Sequence, residues 1–145
     1  MCGIIGYVGE RQSAKDVVID GLKALEYRGY DSAGIALATD KKIKIFKTTG
    51  RVKGLEIKVP DINAGVGIGH TRWATHGKVC EENAHPHLSF DGKIAIVHNG
   101  VISNARSLKA ELVEKGIPFS SSTDSEIIAH LLALEDCDME KAIEN

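Results

Sequence analysis

Cys2, directly behind Met1, carries the most nucleophilic side chain at the start of the chain. Removal of Met1 would give this one residue both a thiol and a free α-amine. The α-amine has a reference pKa of about 7.7–8.0, against about 10.4 for lysine, so it can act as a base near neutral pH. A thiol with its own base is an N-terminal nucleophile. The alternative is a small apolar residue that begins a strand.

Asn99 and Gly100 follow an apolar segment that ends at His98. An Asn-Gly pair after a strand is first of all a turn signal. The same pair suits an oxyanion hole, in which the Asn99 amide and the Gly100 backbone N–H donate to the oxygen of a reacting carbonyl. The sequence leaves both interpretations open.

Arg72 and Asp124 carry the two charges that an α-amino acid requires of its binding site. An arginine holds a carboxylate through two parallel hydrogen bonds, and an aspartate pairs with an ammonium group. Trp73, the only tryptophan, would form a wall or lid beside them. The alternatives are an exposed loop with one packed tryptophan, and a helix-capping role for Asp124.

The cysteines and histidines lack the spacing of a metal site. Cys2, Cys80 and Cys137 are far apart and form no CxxC pair. The segment His85-Pro86-His87 matches neither HExxH nor a zinc finger, so we expect ordered loop histidines there. The glycines at 65–69 do not have the spacing of a dinucleotide-binding loop. We therefore expect neither a metal nor a cofactor.

The composition is that of one globular domain. The 145 residues are 43% hydrophobic and 26% charged, and the net charge is −2. This balance gives no general case for binding nucleic acid or an anionic membrane. No apolar run approaches the length of a membrane span, and the first residues lack the features of a signal peptide. We expect a soluble, cytoplasmic protein.

Periodicity and turn signals place the candidate residues among alternating strands and helices. The expected strands cover residues 2–8, 34–39, 42–47, 65–70 and 93–98, and the expected helices cover 13–27 and 103–115. Gly116 is expected to end the second helix, and Thr123-Asp-Ser-Glu126 has the pattern of a capping box that begins a third. The hairpin across residues 39–41 indicates antiparallel pairing, so the chain is predicted to be α+β.

Several of these segments, taken in order, resemble one family. They are Cys2-Gly-Ile-Ile-Gly6, Leu25-Glu-Tyr-Arg-Gly-Tyr-Asp-Ser-Ala-Gly34, His70-Thr-Arg-Trp-Ala-Thr-His-Gly77, Asn83-Ala-His-Pro-His87, Val97-His-Asn-Gly100 and Thr123-Asp-Ser-Glu126. They resemble the glutaminase domain of the glutamine–fructose-6-phosphate aminotransferase family, which are class II glutamine amidotransferases and N-terminal-nucleophile hydrolases. The resemblance runs from residue 2 to about residue 134 and implies an αββα sandwich.

The resemblance also implies roles for the reacting groups. Cys2 would attack the side-chain amide of L-glutamine and release ammonia, with its α-amine as base and then acid. Asn99 and Gly100 match the oxyanion hole. Arg28 matches a residue that lies near the N-terminal cysteine and supports it without contacting the substrate.

Further residues match the part of the family's site that holds glutamine. Arg72 corresponds to the group that binds the α-carboxylate, and Asp124 to the group that binds the α-ammonium. Trp73, Thr75 and His76 correspond to the loop that closes over glutamine. The segments around residues 26–34 and 70–77 are the ones most specific to the sugar-aminating branch.

In the family, ammonia passes to a separate sugar-isomerase domain that aminates fructose 6-phosphate, and the full-length enzyme is expected to be a homodimer. Residues 1–145 are expected to form the N-terminal part of a glutaminase domain, with the sandwich truncated and the isomerase domains absent. Fructose 6-phosphate would then be a partner only through those domains. Two alternatives stay open: a folded but catalytically incomplete fragment that binds glutamine, and the glutaminase part of another class II amidotransferase with a purine-pathway or asparagine-forming role.

Overall fold

The computed structural model describes residues 2–10, 13–73, 78–135 and 138–144. Two of the predicted site residues, Thr75 and His76, lie outside the described residues, as do Met1 and Cys137. Within the described ranges, no helix is long and apolar enough to cross a bilayer.

A four-stranded antiparallel sheet forms the first layer of β structure. Its strands are β1 (Gly3–Val8), β2 (Ser32–Ala38), β3 (Ile43–Thr49) and β4 (Val66–Arg72), in the spatial order β1-β4-β2-β3. The predicted hairpin is confirmed, because β2 and β3 are joined by a turn in which the Thr39 N–H donates to the Lys42 carbonyl at 3.0 Å. The register puts Gly3 opposite Thr71, so the start of the chain meets the end of β4.

Two helices cover one face of this sheet: α1 (Ala14–Leu25) and α2 (Val52–Lys58). Val18 and Leu22 recur on one side of α1 and are fully buried. The close packing depends on β4 having no side chain there, because a Cβ on Gly69 would lie 2.5 Å from Val18 Cγ1. On β4 the glycines thus face α1, and Ile68, His70 and Arg72 point to the opposite side.

The opposite side carries a second, smaller layer. Strands β5 (His87–Leu88) and β6 (Ala95–Ile96) pair antiparallel, and helix α4 (Ser125–Leu134) packs against both. Helix α3 (Ala105–Glu114) packs on α4 around a small core, and α5 (Met139–Glu144) follows. The layers therefore run helices, sheet, sheet, helices. The predicted α+β class and αββα sandwich are confirmed, with two strands in the second sheet of the described chain.

Several boundaries differ from the sequence-based expectations. The strand expected at 93–98 is wrong in length, since only Ala95–Ile96 pair with a neighbour. The helix expected at 13–27 ends at Leu25 and continues as a 3₁₀ turn over Glu26–Arg28. Helix α2 was not predicted at all.

The capping box predicted at residues 123–126 is wrong. Asp124, not Thr123, occupies the N-cap position of α4, and its side chain makes no capping hydrogen bond. The Glu126 carboxylate instead accepts hydrogen bonds from the backbone and hydroxyl groups of Ser120 and Ser121. The end of α3 is as predicted: Gly116 has a φ of 80°, and the Ile117 N–H donates to the Leu112 carbonyl at 3.0 Å, as in a Schellman motif.

Candidate functional site

A cleft of about 830 Å³ gathers residues from segments far apart in the sequence. All the predicted site residues that the structure describes line it: Cys2, Arg28, Arg72, Trp73, Asn99, Gly100 and Asp124. The sheet register and the second layer bring them together. Thr75 and His76, predicted for the same site, belong to the part of the chain that is not described.

Cys2 is half-buried at the edge of the cleft, one residue before β1. The Trp73 backbone N–H donates to Cys2 Sγ at 3.3 Å, and Asn99 Nδ2 donates to the Cys2 carbonyl at 3.4 Å. A backbone donor therefore lies against the sulfur, where a nucleophile would carry negative charge. Cys2 is thus held by two donors, the Trp73 N–H at its sulfur and the Asn99 amide at its carbonyl.

Asn99 and Gly100 are exposed to the cleft. Asn99 Oδ1 lies 2.8 Å from His70 Nε2, while Nδ2 is on the side of Cys2. Gly100 packs against the ring of His98, since a Cβ at this position would lie 2.6 Å from His98 Nε2. A side chain at 100 would thus displace His98.

Arg72 and Asp124 provide one positive and one negative charge in the cleft. Arg72 ends β4 and is 9% exposed, and its Nη1 donates to the Lys78 carbonyl at 3.5 Å. Asp124 Oδ2 accepts the Ile102 backbone N–H at 2.7 Å, which fixes the carboxylate in the cleft. The capping interpretation of Asp124 is wrong, since its carboxylate accepts from the Ile102 N–H and from no backbone N–H of its own helix.

Trp73 and Arg28 lie where the 3₁₀ turn meets the end of β4. Trp73 is 44% exposed and packs edge-on against Tyr30, with ring centroids 5.7 Å apart. Gly29 allows the turn to approach, because a Cβ there would lie 2.8 Å from the backbone nitrogen of Trp73. This contact holds the Arg28 segment against the cleft wall.

A group of buried histidines, of which His70 and His85 line the cleft, was not predicted as part of the site. The rings of His70 and His85 stack at 4.4 Å, and His87 meets His85 edge-on at 4.5 Å. His85 Nδ1 accepts the His98 N–H at 3.4 Å, and His87 Nε2 lies 2.8 Å from Thr123 Oγ1. The alternation of glycines with Ile68, His70 and Arg72 along β4 was the available signal, since it puts His70 on the same face as Arg72.

These three imidazoles are held in the neutral form. Burial lowers the pKa of His70 to about 4, of His85 to about 2 and of His87 to about 3. Neighbouring positive charge acts in the same direction, from Arg72 on His70 and from Lys47 on His87. A neutral imidazole has one donor and one acceptor nitrogen, so each ring can link two partners.

Asn83 and Glu126 fix the segment that carries Asp124. Asn83 Oδ1 accepts from the N–H and the hydroxyl of Ser122, both at 2.9 Å, and its Nδ2 donates to the Lys78 carbonyl at 3.1 Å. Glu126 is 1% exposed. Burial opposes its ionisation, but the hydrogen bonds from Ser121 and Ser120 outweigh burial and hold its pKa below the ordinary value.

Among the residues that the structure describes, no group of three or more His, Cys, Asp or Glu side chains could hold a metal ion. The chemistry available to the described cleft is that of a thiol, amide and backbone donors, imidazoles, two arginines and one aspartate.

Comparison with known proteins identifies the family. The family model described as "Glutamine amidotransferase domain" matches residues 53–143. The chain is 54% identical over 134 residues to the glutamine–fructose-6-phosphate aminotransferase (isomerizing) of Pyrococcus horikoshii, and 54% identical over 138 residues to that of Streptomyces coelicolor. These matches cover 91% and 93% of this chain, but only 22% of each relative.

Solved structures agree at the level of the fold. A glutamine phosphoribosylpyrophosphate amidotransferase from B. subtilis, in complex with ADP and GMP, superimposes with a TM-score of 0.81 at 28% identity. A structure described as the allosteric regulatory enzyme of purine biosynthesis gives 0.83 at 29% identity. Each match covers all of this chain and 32% of the other. The chain therefore belongs to the glutamine amidotransferase domain family.

Proposed function

We propose that this chain hydrolyses the side-chain amide of L-glutamine to glutamate and ammonia, with Cys2 as the nucleophile. The observation that carries the proposal is the cleft, in which Cys2, the Asn99-Gly100 pair, Arg72 and Asp124 converge from separate segments. Attack on the amide carbon needs a thiol, the amide oxygen needs donors, and the amino-acid end needs both charges. The cleft offers each of these groups.

In the first half of the reaction the Cys2 sulfur forms a bond to the amide carbon of glutamine, and the thiol proton moves to the Cys2 α-amine. Asn99 Nδ2 and the Gly100 N–H donate to the oxygen that becomes negative. The carbon–nitrogen bond then breaks, and ammonia leaves with the proton from the α-ammonium group. A thioester between Cys2 and the glutamyl group remains.

In the second half, water attacks the thioester carbon and gives a proton to the α-amine. The carbon–sulfur bond breaks, the sulfur regains a proton, and glutamate leaves. The α-amine can take part only after Met1 has been removed, because a peptide nitrogen has no basic lone pair. Arg72 and Asp124 hold the α-carboxylate and α-ammonium throughout.

The proposal extends to the sugar-aminating branch. The 54% identity to two glutamine–fructose-6-phosphate aminotransferases exceeds the 28–29% identity to the solved amidotransferases with the same fold. The chain spans 22% of the length of those relatives, so the transfer of ammonia to fructose 6-phosphate is assigned to further domains. The homodimer, the cytoplasmic location and the lack of a nucleic-acid partner stay predictions from the resemblance and the composition.

The test is covalent labelling of the Met1-free chain with 6-diazo-5-oxo-L-norleucine, a glutamine analogue that alkylates such nucleophiles. Intact mass should show one adduct, and the unlabelled protein should release ammonia from glutamine. Cys2→Ala should abolish both. Cys80→Ala is the matched control, because Cys80 is the other free cysteine of the described chain and is not part of the cleft lining.

Labelling of Cys80, or an equal adduct in Cys2→Ala, would show that the analogue reacts outside the cleft and would contradict the proposal. A folded, Met1-free chain that binds glutamine without adduct or turnover would establish the alternative of a catalytically incomplete fragment.

A further inference from the structure

His70 is a buried titratable residue for which the proposed reaction has no direct use. It is 1% exposed and lies on β4, which is hydrogen-bonded to β1 on one side and β2 on the other. Its partners in the register are Ile4 and Gly34. With strands on both sides, the backbone of His70 is held in place, and so is the Cα atom from which its side chain extends.

The ring of His70 is fixed as well. Gly34, beside His70 on β2, leaves room for the backbone of the second layer, since a Cβ at Gly34 would lie 2.0 Å from the His85 carbonyl oxygen. That approach brings the His85 ring onto the His70 ring at 4.4 Å with an angle of 19° between the planes. The His70 ring therefore lies between the sheet and a stacked partner.

The remaining freedom of His70 is which nitrogen carries its proton. Nε2 lies 2.8 Å from Asn99 Oδ1, whereas buried Nδ1 has no hydrogen-bond partner among the described residues. Burying an unpaired acceptor is tolerated better than burying an unpaired N–H. The pKa of about 4 keeps the ring neutral at ordinary pH. The proton is thus expected on Nε2, where it is donated to Asn99 Oδ1.

This hydrogen bond decides which end of the Asn99 amide faces the nucleophile. With Oδ1 turned to the His70 N–H, the NH₂ group is turned to the Cys2 side, where Nδ2 already donates to the Cys2 carbonyl. The opposite tautomer would favour the flipped amide, which would present an oxygen to the developing oxyanion and repel it.

We propose that His70 is a positioning residue that, as the neutral Nε2–H tautomer, holds the Asn99 amide with its NH₂ group toward the reacting oxygen. The inference rests on the proposed glutamine hydrolysis. It adds to that function a residue of the cleft lining that acts through Asn99.

The kinetic test compares His70→Leu, which removes the donor, with His70→Gln, whose amide nitrogen can take the place of Nε2. For glutamine hydrolysis we expect His70→Leu to lower kcat about 10–100-fold, with KM within about twofold, because misplacing a catalytic donor costs rate and not substrate binding. His70→Gln should recover most of that loss. Equal losses in the two variants, or a loss confined to KM, would overturn the proposal.

A double-mutant cycle separates positioning from a general effect on folding. Asn99→Ala should lower kcat about 10²–10³-fold, as expected for loss of an oxyanion donor. If His70 acts through Asn99, His70→Leu should have no further effect in the Asn99→Ala background. Additive losses would show that His70 acts by another route and would contradict the inference.

The tautomer can be measured without turnover. Long-range ¹H–¹⁵N NMR spectra of the unmodified chain should show a protonated Nε2 and an unprotonated Nδ1 for His70 at pH 7. A protonated Nδ1 would overturn the inference whatever the activity. If the unmodified chain neither labels at Cys2 nor releases ammonia, the proposed function fails for this chain, while the NMR result still decides the arrangement of His70 and Asn99.

Discussion

At the scale of single residues, the charges of Arg72 and Asp124 differ in how they are held. Arg72 is nearly buried at the end of β4 and bonds to the carbonyl of Lys78. Asp124 is fixed by one short hydrogen bond from the Ile102 N–H. The other Asp124 oxygen accepts from the Ser125 hydroxyl over a longer distance of 3.5 Å. Asp124 can therefore be altered in charge while its structural bond is kept.

Asp124→Asn tests the role of that charge. The amide oxygen can still accept the Ile102 N–H, so the local structure should persist. Loss of a charge-assisted hydrogen bond to the substrate ammonium, about 1.5–3 kcal/mol, should raise KM for glutamine about 10–100-fold and leave kcat nearly unchanged. Steady-state kinetics of ammonia release measure both constants.

Asp20→Asn is the matched control for this prediction, since the Asp20 side chain is 76% exposed on α1. It should change neither constant. An Asp124→Asn variant with unchanged KM would remove Asp124 from the glutamine site.

At the scale of elements, the sheet depends on positions that lack a side chain. On β2, Gly34 faces the second layer, while its neighbours Ala33 and Ile35 face α1 and α2 in the core. The carbonyl of His85 fills the space over Gly34. The same contact seats His85 on His70, so one glycine links sheet packing to the geometry behind Asn99.

Gly34→Ala should therefore destabilise the fold. The new methyl group would overlap backbone, which cannot move aside as a flexible side chain can, and we expect a loss of at least about 1–3 kcal/mol in the free energy of unfolding. Gly6→Ala, on β1 of the same sheet, is the control, because its nearest neighbour would be Ile68 Cγ2 at 3.9 Å. Urea unfolding of the two variants measures the difference, and equal stabilities would contradict the packing argument.

The sequence predicts those elements whose signal is local. Strand alternation located β2, β3 and β4, and the apolar stripe of Val18 and Leu22 located α1. Helix α2 was not predicted because its N-terminus is capped by a residue distant in the sequence: Glu26 Oε1 accepts the Val52 N–H at 2.7 Å. No pattern within Val52–Lys58 reports a partner that lies 26 residues away.

The failed capping box has a similar cause. Glu126 is three residues after Thr123, as the motif requires. In the folded chain, however, the two serines at 120 and 121 offer it two backbone N–H groups and two hydroxyls, more donors than Thr123 has. Which donors the Glu126 carboxylate binds is decided by the fold, and the capping-box pattern alone does not show it.

At the scale of the whole molecule, the candidate site divides into two kinds of residue. Those that would touch glutamine, such as Cys2 and Arg72, lie in segments whose residue types suggest the chemistry. The supporting histidines His70, His85 and His87 have hydrogen-bond partners 13 to 36 residues away, so these hydrogen bonds follow only from the stacking of the two sheets. Sequence reasoning could list the first kind, but for the second kind it offered only the face of β4 on which His70 lies.

These buried histidines also make the stability of the whole fold depend on pH. The folded-state pKa values of His70, His85 and His87, at about 4, 2 and 3, lie below the ordinary value of 6.5. Above pH 6.5 both the folded and the unfolded chain are neutral at these sites, and the stability is fully present. As the pH falls below 6.5, the unfolded chain binds protons that the folded chain excludes, so the free energy of unfolding falls.

Three such groups should lower the free energy of unfolding by about 3 kcal/mol between pH 6 and pH 5, since each contributes up to about 1.36 kcal/mol per pH unit. Urea unfolding at a series of pH values measures this slope. In His87→Gln the amide nitrogen can still bond to Thr123 Oγ1, but the side chain cannot titrate, so the part of the slope that His87 contributes, up to about 1.36 kcal/mol per pH unit, should disappear. Burial lowers the pKa of His70, His85 and His87 strongly, so a slope unchanged by this substitution would contradict the prediction and mean that acid acts on other groups.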